Sequence, residues 1–168
     1  MPETTSLIIR DAGLADLPAI VDIYNTTIPS RMVTADLLPV TVASRQAWFA
    51  EHTPAKRPLW VAEEDDRIRG WISYSSFTNR PAYHPTCEMS VYIAPDDRGR
   101  GLGSILLQRA IDHAPSLKVT NLVGLIFGHN APSLALFERH GFARWGFLPG
   151  VALLDDLERD LVIVGRRV

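Results

Sequence analysis

Residues 88–103 read EMSVYIAPDDRGRGLG, and the architecture expected for the whole chain follows from them. The alternation of residue types over 86–93 predicts a strand. Residues 95–100 predict a turn, and apolar residues at helical spacing predict a helix over residues 102–113. A strand, a glycine-rich turn and a helix therefore follow one another in the middle of the chain.

Three glycines, Gly99, Gly101 and Gly103, occupy alternate positions where this turn meets the helix. Glycine accepts positive φ and lets a ligand approach the backbone closely. The first helical turn adds unpaired N–H groups and the positive end of the helix dipole. With Arg98 and Arg100 beside it, the turn suits an anion such as a pyrophosphate. A turn that only connects strand to helix is the alternative interpretation.

Two other phosphate-binding motifs do not match this turn. A P-loop ends in Gly-Lys-Ser/Thr, whereas Gly103 is followed here by Ser104 and Ile105. A dinucleotide-binding fingerprint needs G-x-G-x-x-G after an early strand, and neither register of this turn supplies the last glycine. The sequence therefore excludes both nucleotide motifs.

The segments on either side alternate between strand and helix patterns. Predicted strands cover residues 7–10, 59–63, 68–76, 122–127, 142–147 and 159–164, the fourth of them buried on both faces, and the other helices begin near Asp16, Thr41 and Asn130. Asp65-Asp66 predicts a hairpin turn, and residues 26–39 and 77–85 predict irregular segments. This order predicts a mixed α/β sheet with helices on both faces, in one domain over residues 1–168.

Composition and charge exclude several classes of protein. The chain has 168 residues, 46% apolar and 21% charged, which is typical of a globular domain. A net charge of −2 predicts no general attraction to nucleic acid or to an anionic membrane. No apolar run approaches the roughly 18 residues of a membrane span. A single cysteine and the lack of a leader pattern favour the cytoplasm, and the histidine spacing predicts no metal site.

Residues downstream give the glycine turn a more specific meaning. Arg98-x-x-Gly101-x-Gly103, with Asn-Ala-Pro-Ser at 130–133 and Phe-Glu-Arg-His-Gly-Phe at 137–142, resembles the acetyl-CoA signature of the GNAT superfamily of N-acetyltransferases. Residues 10–12, 23–25, 45–49, 80–83 and 88–93 look like the phosphinothricin and methionine sulfoximine acetyltransferase subgroup. The resemblance spans nearly the whole chain. It implies a GNAT-like, mostly antiparallel sheet of about seven strands.

The resemblance also implies partners and cofactor contacts. Acetyl-CoA would be the acetyl donor, a small-molecule amine the acceptor, and a second copy of the chain the partner in a homodimer. Backbone groups of Val91 and Ile93 would pair with the pantetheine arm. Helix capping is an alternative role for Asn130 and Ser133. The candidate cofactor-binding residues are Val91, Tyr92, Ile93, Arg98, Gly99, Arg100, Gly101, Leu102, Gly103, Ser104, Asn130, Ser133 and Phe137.

Glu88 is the candidate catalytic residue, because an ammonium group must lose a proton before it can attack a thioester. The subgroup carries a glutamate at this place, although a strand glutamate on a solvated face is the alternative. Alternation puts Glu88, Ser90 and Tyr92 on one face and Cys87 in the core. Many superfamily members have a tyrosine where this chain has Phe137, which cannot protonate the leaving thiolate.

The acceptor residues are less well defined by the sequence. Tyr24, Asn25, Arg31, Arg80 and Tyr83 are the candidates for substrate binding, with Arg80 suited to a carboxylate. The acidic and aliphatic residues at 152–160 depart from the basic and aromatic stretch expected in the subgroup. A peptide or protein acetyltransferase and a non-catalytic acyl-CoA sensor are therefore alternatives to an amino-acid N-acetyltransferase.

Overall fold

The computed structural model describes residues 6–168, so the first five residues of the domain predicted over 1–168 lie outside it. Its strands are β1 Ile8–Asp11, β2 Leu59–Glu64, β3 Arg67–Ser76, β4 Thr86–Ile93, β5 Asn121–Phe127, β6 Ala143–Leu154 and β7 Leu157–Arg167. Its α-helices are α1 Leu17–Thr27, α2 Val42–Ala50, α3 Leu102–His113 and α4 Ala131–Arg139.

The seven strands of the described residues form one sheet in the order β1-β2-β3-β4-β5-β7-β6. Every neighbouring pair is antiparallel except β4 and β5. The predicted sheet of about seven mostly antiparallel strands is confirmed. The parallel pair sits in the middle of the sheet, where the chain must cross over through α3 to return in the same direction.

Helices cover both faces of the sheet, as predicted. On one face Leu106 and Ala110 of α3 and Phe137 of α4 pack with Met89 and Cys87, which is fully buried as expected for a core residue. On the other face α1 and α2 cover a separate cluster that includes Ile20, Ile23, Leu59, Val61 and Trp71. Side-chain alternation along β4 therefore directs one set of residues into each core.

The last two strands are longer than predicted. Asp155 and Asp156 have φ of 48° and 66° and form a two-residue turn between β6 and β7. Positive φ at both central positions matches the twist of paired strands, so the hairpin continues up to the turn. The acidic and aliphatic stretch at 152–160 is thus the tip of a hairpin.

Two local details concern the start of α1 and the burial of β5. Helix α1 begins directly after Asp16, as predicted, but the Asp16 carboxylate does not cap it and instead accepts hydrogen bonds from Arg10 and from the Gly13 N–H, at 2.7 Å each. Strand β5 is not buried on both faces throughout, because Leu125 is 40% exposed. Within the described residues no helix is long and apolar enough to cross a membrane.

We expect Gly70→Ala to destabilise the protein, because a Cβ at this position would lie 2.9 Å from the Tyr92 carbonyl oxygen and 2.7 Å from the Ile93 side chain. The backbone of β4 cannot move aside without breaking its pairing with β3, so the free energy of unfolding should fall by about 1–3 kcal/mol. Gly13→Ala is the control, since its Cβ would meet nothing closer than 3.7 Å. Equal urea midpoints for the two variants would contradict this account.

Candidate active site

The central feature of the site is the divergence of β4 from β5. The two strands pair only from Thr86 to Glu88, opposite residues 121–123, whereas β3 follows β4 as far as Ile93. The Ala94 N–H donates to the Arg69 carbonyl on the β3 side, so alternation turns the N–H groups of Val91 and Ile93 toward the open edge. These free backbone groups border a groove of about 560 Å³, called here the β4–β5 groove.

The glycine turn closes one end of this groove. Gly99 and Gly101 have φ of 76° and 78°, a conformation that other residues rarely adopt. Gly101 directly precedes α3, and the Ile105 N–H is bonded to its carbonyl. The N–H groups of Leu102, Gly103 and Ser104 precede the first bonded turn and are available to an anion. The sequence prediction of an anion cradle here has a matching geometry.

Arg100 is directed elsewhere. Its guanidinium donates to the Asp97 carboxylate at 2.7 Å and to both Glu64 oxygens at 3.1 and 3.2 Å. Asp97 is 3% exposed and also lies near Arg69. The Arg98 side chain lines the groove, whereas the Arg100 side chain does not. The Arg100 side chain instead connects the turn to Glu64 at the end of β2.

Helix α4 supplies the opposite wall. The Asn130 side chain accepts a hydrogen bond from the Ser133 N–H at 3.2 Å, so Asn130 caps the helix while both residues line the groove. The Ser104 hydroxyl also pairs with His140 Nε2 at 2.5 Å, at the residue where α4 ends. The candidate cofactor-binding residues that line the groove are Val91, Tyr92, Ile93, Arg98, Gly99, Gly101, Leu102, Gly103, Ser104, Asn130 and Ser133.

Phe137 lies in a small cleft that joins the groove. The cleft is about 50 Å³, and Val91, Asn130 and Ser133 line both spaces. Phe137 is 5% exposed and packs edge to face against Phe142 with ring centroids 4.9 Å apart. Its ring therefore provides an apolar wall of the cleft, and this wall has no proton to donate.

A second cavity of about 240 Å³, called here the Glu88 cavity, lies between the sheet and the helices α1 and α2. Its floor consists of three cross-strand pairs, Trp71 with Tyr92, Ser73 with Ser90, and Ser75 with Glu88. The serines leave space that larger side chains would fill. Ser90 and Tyr92 also line the cleft, so the cavity and the cleft share a wall.

Glu88 is the carboxylate of this cavity. Burial raises the pKa of Glu88, and no other cause contributes, so within residues 6–168 neither a cation nor a hydrogen-bond donor offsets the loss of water. This environment is unlike the solvated strand face of the alternative interpretation. A carboxyl group whose pKa is raised is better suited to accept a proton from an ammonium group.

The structure separates the five candidate acceptor residues. Only Tyr24 lines the Glu88 cavity, with its hydroxyl bonded to Thr34 and Asp36. The other four lie outside the cavity lining. The Asn25 side chain is bonded to the N–H and carbonyl of Val40 at 2.9 Å each, and thus holds the segment between α1 and α2.

Arg31, Arg80 and Tyr83 have other surroundings. Arg31 donates to Asp155 at the β6–β7 turn at 2.7 Å, while its carbonyl is bonded to His129 at 2.8 Å. The side chain of Arg80 is exposed, and Tyr83 is 46% exposed and packs against Phe77. Arg31 therefore joins three segments of the chain instead of facing the cavity.

Sequence reasoning missed several residues of the cavity. Arg45 and Trp48 of α2 both line it, and so does Trp71. The spacing of Arg45 and Trp48 places them on one helical face, and Trp71, Ser73 and Ser75 alternate along β3. This alternation is a usable signal, because small polar residues on one face of a central strand indicate a space that is not packed.

A family model described as the Acetyltransferase (GNAT) family matches residues 18–142. The chain belongs to the GNAT acetyltransferase family. It is an acetyl-CoA-dependent N-acetyltransferase, and the β4–β5 groove with its free strand edge and anion cradle fits that donor.

Individual relatives resemble the chain over most of its length. YwnH of Bacillus subtilis, which bears a provisional assignment as a phosphinothricin acetyltransferase, is 52% identical over 95% of this chain and 98% of that protein. An L-methionine sulfoximine/L-methionine sulfone acetyltransferase of Pseudomonas paraeruginosa is 38% identical over 85% and 84%. A phosphinothricin acetyltransferase from Sinorhizobium meliloti, solved with acetyl-CoA, superimposes with a TM-score of 0.90 at 28% identity, covering 96% and 88%.

We expect Glu88→Gln to stabilise the folded protein near neutral pH. Because burial raises the pKa of Glu88 above its unfolded value of about 4.3, ionisation in the folded state costs stability. The cost is absent below the unfolded pKa and complete above the folded one. The variant should therefore unfold at a higher urea concentration at about pH 7.5, and this advantage should vanish toward about pH 4. Exposed Glu158→Gln serves as the control, and a pH-independent difference for Glu88→Gln would contradict the assignment.

Proposed function

We propose that residues 1–168 form one domain that transfers acetyl from acetyl-CoA to the α-amine of a small amino-acid-like acceptor of the phosphinothricin or methionine sulfoximine type. The observation that supports this most is the Glu88 cavity, since its desolvated carboxylate lies beside the cleft that joins the β4–β5 groove. A volume of about 240 Å³ suits a ligand smaller than a drug molecule. The names of the relatives agree with such an acceptor.

Glu88 acts as the general base in this proposal, directly or through water. It takes a proton from the acceptor's ammonium group, which leaves the amine lone pair free to attack the thioester carbon. Val91 and Ile93 hold the pantetheine arm through their free backbone groups. The first turn of α3 and Arg98 hold the pyrophosphate. These contacts fix the donor and acceptor within reach of one another, and positioning is itself a large part of catalysis.

The acetyl group passes directly to the amine in a ternary complex. A covalent acetyl-cysteine route is disfavoured, because Cys87 lies on the opposite face of β4 and burial raises the pKa of its thiol to about 11. Phe137 offers no proton to the departing thiolate. A thiol with a pKa of about 8.5 leaves acceptably as its anion, so no general acid is required.

We expect Glu88→Gln to lower kcat/KM by about 10²–10⁴-fold in a free-thiol release assay with acetyl-CoA. The assay compares L-phosphinothricin, L-methionine sulfoximine, L-methionine sulfone, polyamines and peptides as acceptors. For the wild type, kcat/KM should fall as the pH drops through the raised pKa of Glu88, and this acid limb should be missing from the variant.

Cys87→Ala is the matched control, since it changes the neighbouring residue on the other face of β4. It should retain intersecting initial-velocity lines and near wild-type turnover. Parallel lines in the wild type would contradict direct transfer. Tight acetyl-CoA binding without turnover of any acceptor would support an acyl-CoA sensor instead.

We also propose that the chain forms a homodimer and works in the cytoplasm. The dimer is supported by β6, a strand of 12 residues at the edge of the sheet, whose free backbone groups can pair with another chain. Apolar side chains on this hairpin are unusually exposed, among them Val151 at 55%, Leu153 at 61% and Leu157 at 56%. Covering such a patch with its own copy is a common solution.

We expect the wild type to elute as a dimer in size-exclusion chromatography with light scattering, and Leu153→Asp to shift it toward the monomer. A charge in the interface costs several kcal/mol when it is buried without a partner. Leu14→Asp is the control, because Leu14 is equally exposed, at 62%, but lies far from the hairpin in sequence. A wild type that stays monomeric at high concentration would overturn the dimer.

A further inference from the structure

The lining of the Glu88 cavity holds two formal charges of opposite sign, the carboxylate of Glu88 and the guanidinium of Arg45. The rest of the lining consists of apolar, aromatic and serine side chains. An α-amino acid carries an ammonium and a carboxylate group a few ångströms apart. We infer that Arg45 binds the carboxylate of the acceptor, and thereby selects amino acids over simple amines; this inference rests on the function proposed above.

The placement of Arg45 leaves most of its donors available. Its guanidinium carbon lies 4.8 Å from the centre of the Tyr24 ring and 6.0 Å from that of Trp48, so two aromatic faces hold it in position. One Nη donates to the Asp36 carboxylate at 3.0 Å. Among the described residues no other acceptor is bonded to this guanidinium, which has five N–H groups in a planar fork. Such a fork matches the two oxygens of a carboxylate.

Tyr92 links the two charged groups in space. Its ring stacks on Trp71 with centroids 4.5 Å apart, and lies 5.2 Å from the Tyr24 ring that Arg45 covers. The pKa of Tyr92 is raised, chiefly by burial; Glu88 raises it further, whereas Arg45 lowers it. The charges of Glu88 and Arg45 therefore both act on the Tyr92 hydroxyl. In the inferred complex the amine of the acceptor lies at Glu88 and its carboxylate at Arg45, since both residues line the same cavity as Tyr92.

The other arginines near the site are placed differently. Arg31 is bonded to Asp155 and to two backbone carbonyls. Arg57 is 8% exposed, and donates to Ser76 and to the carbonyls of Lys56 and His84. The Arg80 side chain is exposed and outside the lining, although the sequence favoured it as the carboxylate partner. Arg45 is thus the cation that the structure puts inside the cavity.

The test compares L-methionine sulfone with 3-(methylsulfonyl)propan-1-amine, which is the same molecule without its carboxylate. Arg45→Gln should raise the KM for the amino acid by at least about tenfold, since it removes charge-assisted hydrogen bonds. The KM for the simple amine should change by less than about twofold, and kcat should fall less than KM rises. Arg45→Lys keeps the charge and should recover part of the amino-acid preference.

The Asp36→Asn variant distinguishes a purely structural role of Arg45 from binding of the acceptor carboxylate. This variant breaks the ion pair that ties Arg45 to the segment between α1 and α2, but leaves the guanidinium in place. If Arg45 only held that segment, both variants would show the same KM rise for both acceptors. If Arg45 binds the carboxylate, Asp36→Asn should keep its preference for the amino acid. Urea unfolding of each variant reports whether the fold is intact.

Three results would overturn the inference. The first is an Arg45→Gln enzyme that still prefers the amino acid by the wild-type ratio. The second is a carboxylate-specific KM rise in Arg80→Gln and none in Arg45→Gln, which would place the acceptor carboxylate at the 77–85 loop. The third is a wild type that acetylates amines or peptides but no α-amino acid, which would overturn the proposed function as well.

Discussion

The separation of β4 from β5 beyond Glu88 is the constraint on which the rest of the site depends. A central strand normally satisfies its N–H and C=O groups on both edges, but beyond Glu88 β4 is paired only with β3, so the backbone groups of Val91 and Ile93 on the other edge have no strand partner. The same divergence makes room for the β4–β5 groove and sets the start of α3, with its glycine turn, at the groove's end. A ligand that offers amides along its length and phosphates at one end meets both requirements at once, which is why acetyl-CoA fits.

The cavity on the other side of β4 has a different energetic character. The β4–β5 groove contains backbone N–H groups without a partner. In the Glu88 cavity the carboxylate of Glu88 has no hydrogen-bond donor among the described residues, and burial raises its pKa. Burying an unpaired acidic group lowers the stability of the fold. Such groups are concentrated at sites where they take part in chemistry. Ser73, Ser75 and Ser90 keep the space open next to it, and a strand packed with larger side chains would have closed it.

The segment between α1 and α2 borders both the β4–β5 groove and the Glu88 cavity. It has no α-helix or strand of its own, yet Asn25 fixes it to the end of α1 and Arg31 fixes it to the β6–β7 turn and to His129. Val33 from this segment lines the groove and Val40 lines the cavity. The acidic tip of the hairpin, which departs from the pattern expected in the subgroup, therefore holds this segment in place through the ion pair of Asp155 with Arg31.

Features that depend on local chemistry can be predicted from the order of the residues. Neighbouring residues determine the positive φ of Gly99 and Gly101, the cap at Asn130 and the alternation of Glu88 with Cys87. The strand–turn–helix unit beside the β4–β5 groove and the buried cysteine could therefore be predicted. Which side chains meet across the cavity depends instead on how the helices pack on the sheet. Arg31 reaches Asp155 across 124 positions, and Arg45 reaches the Glu88 cavity because α2 packs against α1 and, through Trp48, against Trp71 of β3. Such contacts follow from the packing of whole elements, which no short pattern of residues encodes, and for that reason the sequence did not indicate that Arg45 lines the cavity or that Arg31 and Arg80 lie outside its lining.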